Sequence, residues 1–393
     1  MKKKVLFVME SLGIGGAEKS LITILSLLDK EKYDIYLYLF KPDGAFLNQV
    51  PSWINTINIS NDDKLKKDFK TDWLKYLKKC KFKRSFYSLC WLLGCFISKY
   101  IRKENEYIGW KLQKHLYSDI QGKFDVAIGF LEKSTTYFIV DHVTALRKIA
   151  FMHTDYDAIP HDEIIDREYY KRIDYLAVVS EHTKETMIKH FPFMEDKVKV
   201  IKNMVCPELI YKMSDDRALE IENCIASTKI VTVARLTEAK NIESAINILY
   251  ELVKRNYDVE WFVIGEGEER NKLENIISKY KLENRFHLLG SKANPYPYMR
   301  ACDIYVQPSK FEGYGITLAE AKVLCKPIVS SDIPEFREQL INMKTGIYCK
   351  NKEEITDTIC SLISDKSKQM ELSNNLKQCE VSYDELNKLE TMF

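Results

Sequence analysis

DIYVQPSKFEGYGITLAEA, residues 303–321, runs from a short apolar strand through a glycine-rich turn into a helix-forming stretch. Strand, tight turn and helix in that order form the repeating unit of a parallel sheet covered on both faces. The helix opening at Gly315, Ile316 and Thr317 presents backbone N–H groups without intrahelical partners, an end that attracts anions and phosphate above all. Two carboxylates flank it, Glu312 before the turn and Glu320 inside the helix. Acids do not bind phosphate, so this pair suits a hydroxyl-bearing group attached to one.

The same unit repeats on either side. KIVTVA (229–234), VEWFVIG (259–265), RFHLLG (285–290) and KPIVSS (326–331) read as further strands separated by helical segments. Upstream, VLFVM, YDIYLYLF, FDVAIGF, RKIAFMH, DYLAVVS and KVKVI form a first series, and a less patterned stretch near 203–227 divides the two. The expected fold is α/β, with two Rossmann-like doubly wound domains facing a central cleft and ligands at the carboxyl ends of the strands. The expected boundaries are 1–203, 204–380 and a short amphipathic helix, 381–393, packing back on the first domain.

The 393 residues, 46% hydrophobic and 30% charged, describe an ordinary globular chain with room for two cores. MKKKVLFVME has too short an apolar run for a secretory signal and reads as a first buried strand. Ten cysteines lie scattered without CxxC pairs or Cys/His ligand spacing, which suits reduced thiols and gives no sign of structural zinc. The net charge of +2 is uneven: residues 64–114 hold fifteen Lys and Arg against four acids. Within them, SFYSLCWLLGCFISKYI (85–101) is too short to span a bilayer. It suits either a helix lying on anionic lipid or one buried against the first domain's sheet with a solvated lysine face.

Three further turns carry possible chemistry. GIGGAEKS (13–20) lacks the third glycine of the dinucleotide fingerprint, with Glu18 near its place, yet Gly15 and Gly16 still permit a phosphate to approach. A purely structural turn is the alternative. In VARLTEAKN (233–241), Arg235 and Lys240 leave a strand end as two cations able to neutralise a diphosphate without metal. VIGEGEER (263–270) is another strand–glycine–helix turn, common in such folds.

Arg235 and Lys240, GEGEE, the run 303–321 and the PIVSSDIPEF that follows together resemble the retaining GT-B glycosyltransferases of family four, "group 1", of the bacterial surface-polysaccharide type. The likeness is dense from 229 to 348 and extends to GGAEKS. It implies a hexosyltransferase that uses a nucleoside diphosphate sugar, UDP-sugar favoured, and retains anomeric configuration. In that family the first acid, here Glu312, contacts the donor sugar and the second, Glu320, the ribose. Gly315, Ile316 and Thr317 then take phosphate opposite Arg235 and Lys240, and Leu288 and Leu289 lie near the base. His153, in MHTD, matches a histidine near the reacting anomeric centre. Asp155 and Asp157 in DYD mimic the metal-binding DxD of another glycosyltransferase fold, but with two cations supplying charge no metal or other cofactor is expected.

The resemblance also implies a saccharide or lipid-linked acceptor, no nucleic acid, and a cytoplasmic enzyme peripheral on the inner face of the membrane. A nucleotide-sugar epimerase or hydrolase of the same fold, or a non-catalytic sugar-nucleotide-binding subunit, is the alternative.

Overall fold

The computed structural model describes residues 2–57, 110–111, 113–379 and 384–393. The chain divides into two compact units, Met1–Lys202 with Asp384–Phe393, and Asn203–Tyr383. The amphipathic run 85–101 and nearly all of the basic segment 64–114 lie outside the described residues. Among the described residues, no helix is long and apolar enough to cross a membrane.

The first unit is a seven-stranded sheet of β1 (Lys3–Met9), β2 (Tyr33–Leu39), β3 (Asn55–Ile57), β4 (Phe124–Gly129), β5 (Ala145–Met152), β6 (Tyr175–Val178) and β7 (Val198–Val200). All neighbours pair in parallel, in the order β3-β2-β1-β4-β5-β6-β7. Val5 to Met9 are wholly buried, which is why β1 reads as an unbroken apolar run rather than an alternating one. The helix Asp384–Thr391 belongs to this unit. Leu389 is buried, and the ring of Phe393 meets Tyr33 edge-on at 5.3 Å.

The second unit holds β8 (Thr228–Val233), β9 (Val259–Ile264), β10 (Phe286–Leu288), β11 (Ile304–Gln307), β12 (Ile328–Ser331) and β13 (Ile347–Cys349), ordered β10-β9-β8-β11-β12-β13 and parallel throughout. Buried Trp261 donates from Nε1 to Thr232 Oγ1 at 3.0 Å, and Thr232 donates on to the Val306 carbonyl at 2.6 Å, which ties β9, β8 and β11 together. The helix Ile242–Lys254 buries Ile242, Ala245, Ile246, Leu249 and Leu252, the spacing of one helical face. In both units the strand order reverses once, between β1 and β4 and between β8 and β11. Loops that leave adjacent strands in opposite directions open a crevice there, where doubly wound sheets bind ligands. Strands β3 and β13, three residues each, escaped the sequence reading because so short a run has no detectable period.

Candidate active site

The loops after β8 and β11 meet at the reversal of the second sheet. Lys310 donates its backbone N–H to the Ala239 carbonyl at 2.8 Å, its Nζ reaches Glu238 at 2.9 Å, and Asn241 Nδ2 reaches the Pro308 carbonyl at 3.2 Å. The turn Glu238–Lys240 swings Lys240 inward, and its Nζ closes on Glu312 Oε2 at 2.5 Å. Arg235 behaves differently. It is exposed, and its guanidinium makes no hydrogen bond or ion pair with a described residue. The two cations expected to act alike are therefore a part-buried counter-ion and an exposed one with no partner among the described residues.

Glu312 is held on its other oxygen too. Ser309 Oγ donates to Oε1 at 2.8 Å, and Gln307 Nε2 lies 3.4 Å from the same atom and 3.0 Å from Ser309 Oγ. Tyr305 in turn donates to Gln307 Oε1 at 2.8 Å. This chain of buried polar groups fixes the carboxylate at 9% exposure with its charge balanced.

Gly315 caps the helix Ile316–Val323 with φ +83°, a left-handed conformation that glycine adopts without strain. A Cβ there would stand 2.5 Å from the Phe336 ring, so the turn is pressed against that ring while the N–H groups of the first helical turn, Ile316 and Thr317 among them, face outward from the helix end. Gln339 donates to the Tyr314 carbonyl and steadies the same turn. One helical stretch on, Glu320 is 1% exposed and accepts from the Tyr296 hydroxyl at 2.8 Å. Burial, and then Glu320 itself, push the Tyr296 phenol well above its usual range, so it acts as a neutral donor.

Leu288 and Leu289 are only partly buried, and their backbone is already engaged. The Leu288 carbonyl accepts from Arg270 at 3.2 Å, and the Leu289 N–H donates to the Val263 carbonyl at 2.9 Å. The GEGEE turn supports the neighbouring loop: the Leu236 N–H donates to the Glu266 carbonyl at 2.9 Å and the Glu269 N–H to the Leu236 carbonyl at 3.0 Å.

In the first unit, Gly15 caps the helix that Gly16 begins, in extended geometry. The Glu18 carboxylate folds back to 2.2 Å from where a Gly15 Cβ would be, so this loop carries negative charge where a phosphate was expected. His153 follows β5 with its ring against both Phe130, at 4.9 Å, and Phe151, at 5.5 Å and nearly parallel, two rings that themselves meet at 4.5 Å. Its backbone N–H donates to Glu132 Oε1 at 3.0 Å. Desolvation pushes the Glu132 carboxyl up from the usual glutamate range, against hydrogen bonds from Thr154 and His153 that lower it. The two acids of DYD diverge. Asp155 meets Thr186 Oγ1 and His182 Nε2, each at 3.2 Å, whereas Asp157 meets His190 Nε2 at 2.7 Å.

Residues 226–378 match the family model described as glycosyl transferases group 1. Those residues, all within the second unit, carry the likeness to the group 1 glycosyltransferases. The chain is 24% identical over 333 residues, 84% of itself and 81% of the relative, to the Campylobacter jejuni N-acetylgalactosamine-N,N'-diacetylbacillosaminyl-diphospho-undecaprenol 4-alpha-N-acetylgalactosaminyltransferase. An uncharacterised glycosyltransferase of Methanocaldococcus jannaschii is 26% identical over 42% of this chain, which spans only 41% of that relative's length. Anabaena HepE, solved with UDP and glucose, superposes with a TM-score of 0.71 over 99% of both chains at 17% identity. The chain thus has the GT-B fold of two Rossmann-like units.

Sequence reasoning singled out Glu312, Glu320, Arg235 and Lys240 and passed over Gln307, Ser309 and Tyr296, which hydrogen-bond to the two acids or their neighbours. Gln307 and Ser309 carried a signal, a polar residue that ends a fully buried strand and a second one two residues beyond it, both buried. Tyr296 carried none, because its distance to Glu320 depends on tertiary packing.

Proposed function

We propose that this protein transfers a hexose, with retention, from a nucleoside diphosphate sugar (UDP-sugar favoured) to a lipid-linked saccharide during surface-polysaccharide assembly. The observation that carries this reading is Glu312, buried and clamped by Lys240, Ser309 and Gln307 beside the helix end at Gly315. A balanced carboxylate beside an anion-seeking helix end suits a ligand with sugar hydroxyls next to phosphate. Arg235 and Lys240 would meet the charge building on the departing diphosphate, in place of a metal ion. Glu320 would hold the ribose from its buried position, and Leu288 and Leu289 would border the base. His153 would lie near the anomeric carbon. The leaving phosphate would assist the acceptor hydroxyl on the same face.

HepE's complex with UDP and glucose supports the choice of donor, and the diphospho-undecaprenol in the Campylobacter relative's name supports a lipid-linked acceptor. A lipid-linked acceptor would place the protein on the cytoplasmic face of the membrane, with the basic segment 64–114 toward anionic lipid. A thermal-shift screen of nucleoside diphosphates and their sugars identifies the donor. Donor consumption with and without diphospho-undecaprenol saccharides then tests transfer. Turnover that ignores the acceptor would leave a hydrolase or epimerase instead.

A further inference from the structure

A second cluster in the first unit has a different chemistry. Asp157 lies on the turn Tyr156–Ala158, His161 four residues further, and His190 ends the helix Glu181–His190. Each offers a ligand atom, and these atoms all lie within 4.8 Å of one another.

One imidazole is set in a ligating tautomer, and the other is held by a carboxylate at each ring nitrogen. His161 Nδ1 faces the Ile159 carbonyl at 3.0 Å; a carbonyl only accepts, so Nδ1 carries the proton and Nε2 keeps its lone pair. His190 Nδ1 faces Glu163 Oε1 at 2.8 Å, the carboxylate–histidine arrangement that orients metal-bound imidazoles. Its Nε2 points to Asp157 Oδ1 at 2.7 Å, so an ion entering there displaces one proton and keeps the carboxylate as neighbour. Tyr156, 1% exposed, stacks on His161 at 4.2 Å and meets His190 edge-on at 5.1 Å. Its hydroxyl donates to Asp166 at 2.6 Å, which anchors the ring that holds both histidines.

We propose that Asp157, His161 and His190 form a binding site for a divalent transition metal of the zinc class, with Glu163 as the outer carboxylate and water completing the shell. Two neutral imidazoles and one carboxylate suit zinc, whereas magnesium and calcium prefer oxygen ligands throughout. The bound ion would tie the loop beyond His153 to the end of the helix Glu181–His190. It would act on the order of that loop and not on the diphosphate, so the proposal stands independently of sugar transfer.

Calorimetric titration of the full chain with zinc chloride, after stripping with EDTA and in a phosphine-reduced buffer, should give one site. Glu163→Gln should weaken it by roughly tenfold, the usual effect of losing an outer partner. His161→Gln and His190→Gln should each weaken it further. His161 is exposed, so its variant carries the test alone if His190→Gln folds poorly. Cobalt(II) should show weak visible bands without thiolate charge transfer. A strong thiolate band, or zinc binding unchanged by the histidine substitutions, would put the ion on cysteines and overturn the site. No binding would leave an ion-pair cluster only and overturn it equally.

Discussion

Lys240 and Glu312 are 72 positions apart in the sequence and 2.5 Å apart at Nζ and Oε2, where they join the loops after β8 and β11. Lys240 therefore has a partner before any ligand arrives, whereas Arg235 has none among the described residues. Lys240→Ala strands a buried carboxylate and should cost about 3–5 kcal/mol of stability. Arg235→Ala, at an exposed site, should stay within about 0.5 kcal/mol of the parent. Both should lose donor turnover by roughly 10²–10³-fold if they stabilise the leaving group. Melting curves and turnover on the same preparations separate the effects, and full activity in folded Arg235→Ala would remove Arg235 from the site.

Glu320 and Glu312 should fail differently. Glu320→Gln should weaken binding of free nucleotide, while Glu312→Gln should spare nucleotide and weaken the sugar-bearing donor. Tyr296→Phe deletes the hydroxyl that Glu320 accepts from and should cost about 1–3 kcal/mol of stability. Calorimetry with nucleotide alone and with donor reads the split; equal losses in both acid variants would contradict the two roles.

Gly315→Ala meets two obstacles, a left-handed backbone costing about 1–2 kcal/mol and the Phe336 ring 2.5 Å from the new methyl. Combining it with Phe336→Leu should relieve the second and not the first. The double variant should therefore melt above the value expected from summing the two single losses, with diphosphate affinity still reduced. Strict additivity would show that the ring does not press on the turn.

Glu132 should make stability depend on pH. Its carboxyl is raised in the fold by desolvation, so the native state holds the proton to higher pH than the unfolded chain does. That contribution is present below the ordinary glutamate value of about 4.5 and is lost as pH rises through the raised one. Relative to Glu132→Gln, the parent should lose melting temperature across that window and match it below. A constant gap at all pH values would mean that Glu132 titrates normally.

If residues 64–114 dock on lipid, the protein should co-sediment with anionic vesicles and not with neutral ones. Binding should fall with salt, because each basic side chain near the surface contributes about 1 kcal/mol and is screened within a Debye length. Replacing Trp91 and Leu92 by polar residues should weaken the salt-resistant remainder. A lowered melting temperature in that variant, with no vesicle binding by the parent, would favour a helix buried on the first sheet.

Much of this was legible in the sequence because covered parallel strands leave plain marks. VLFVM is unbroken because both of its faces are buried, and the glycine of FEGYG sits where the backbone turns left-handed. Charge placement within the loops was not legible. Arg235 and Lys240 look alike in VARLTEAKN, and only the turn Glu238–Lys240 sends one inward. Asp155 and Asp157 look like a pair, yet a turn between them aims one at His182 and the other at His190. Tyr296 and Glu320 meet only because the fold brings two separate helices, Tyr296–Ala301 and Ile316–Val323, within reach of one hydrogen bond.

The helix Asp384–Thr391 belongs to a unit whose other residues all precede Asn203. During translation, the first sheet must wait for its final contacts, Phe393 on Tyr33 and on Arg147 among them, until the whole intervening unit has left the ribosome. The second unit can therefore finish folding first, although it is made later. The nascent first unit meanwhile exposes the apolar face that Leu389 and Phe393 later cover, a surface open to non-native association while the chain is unfinished.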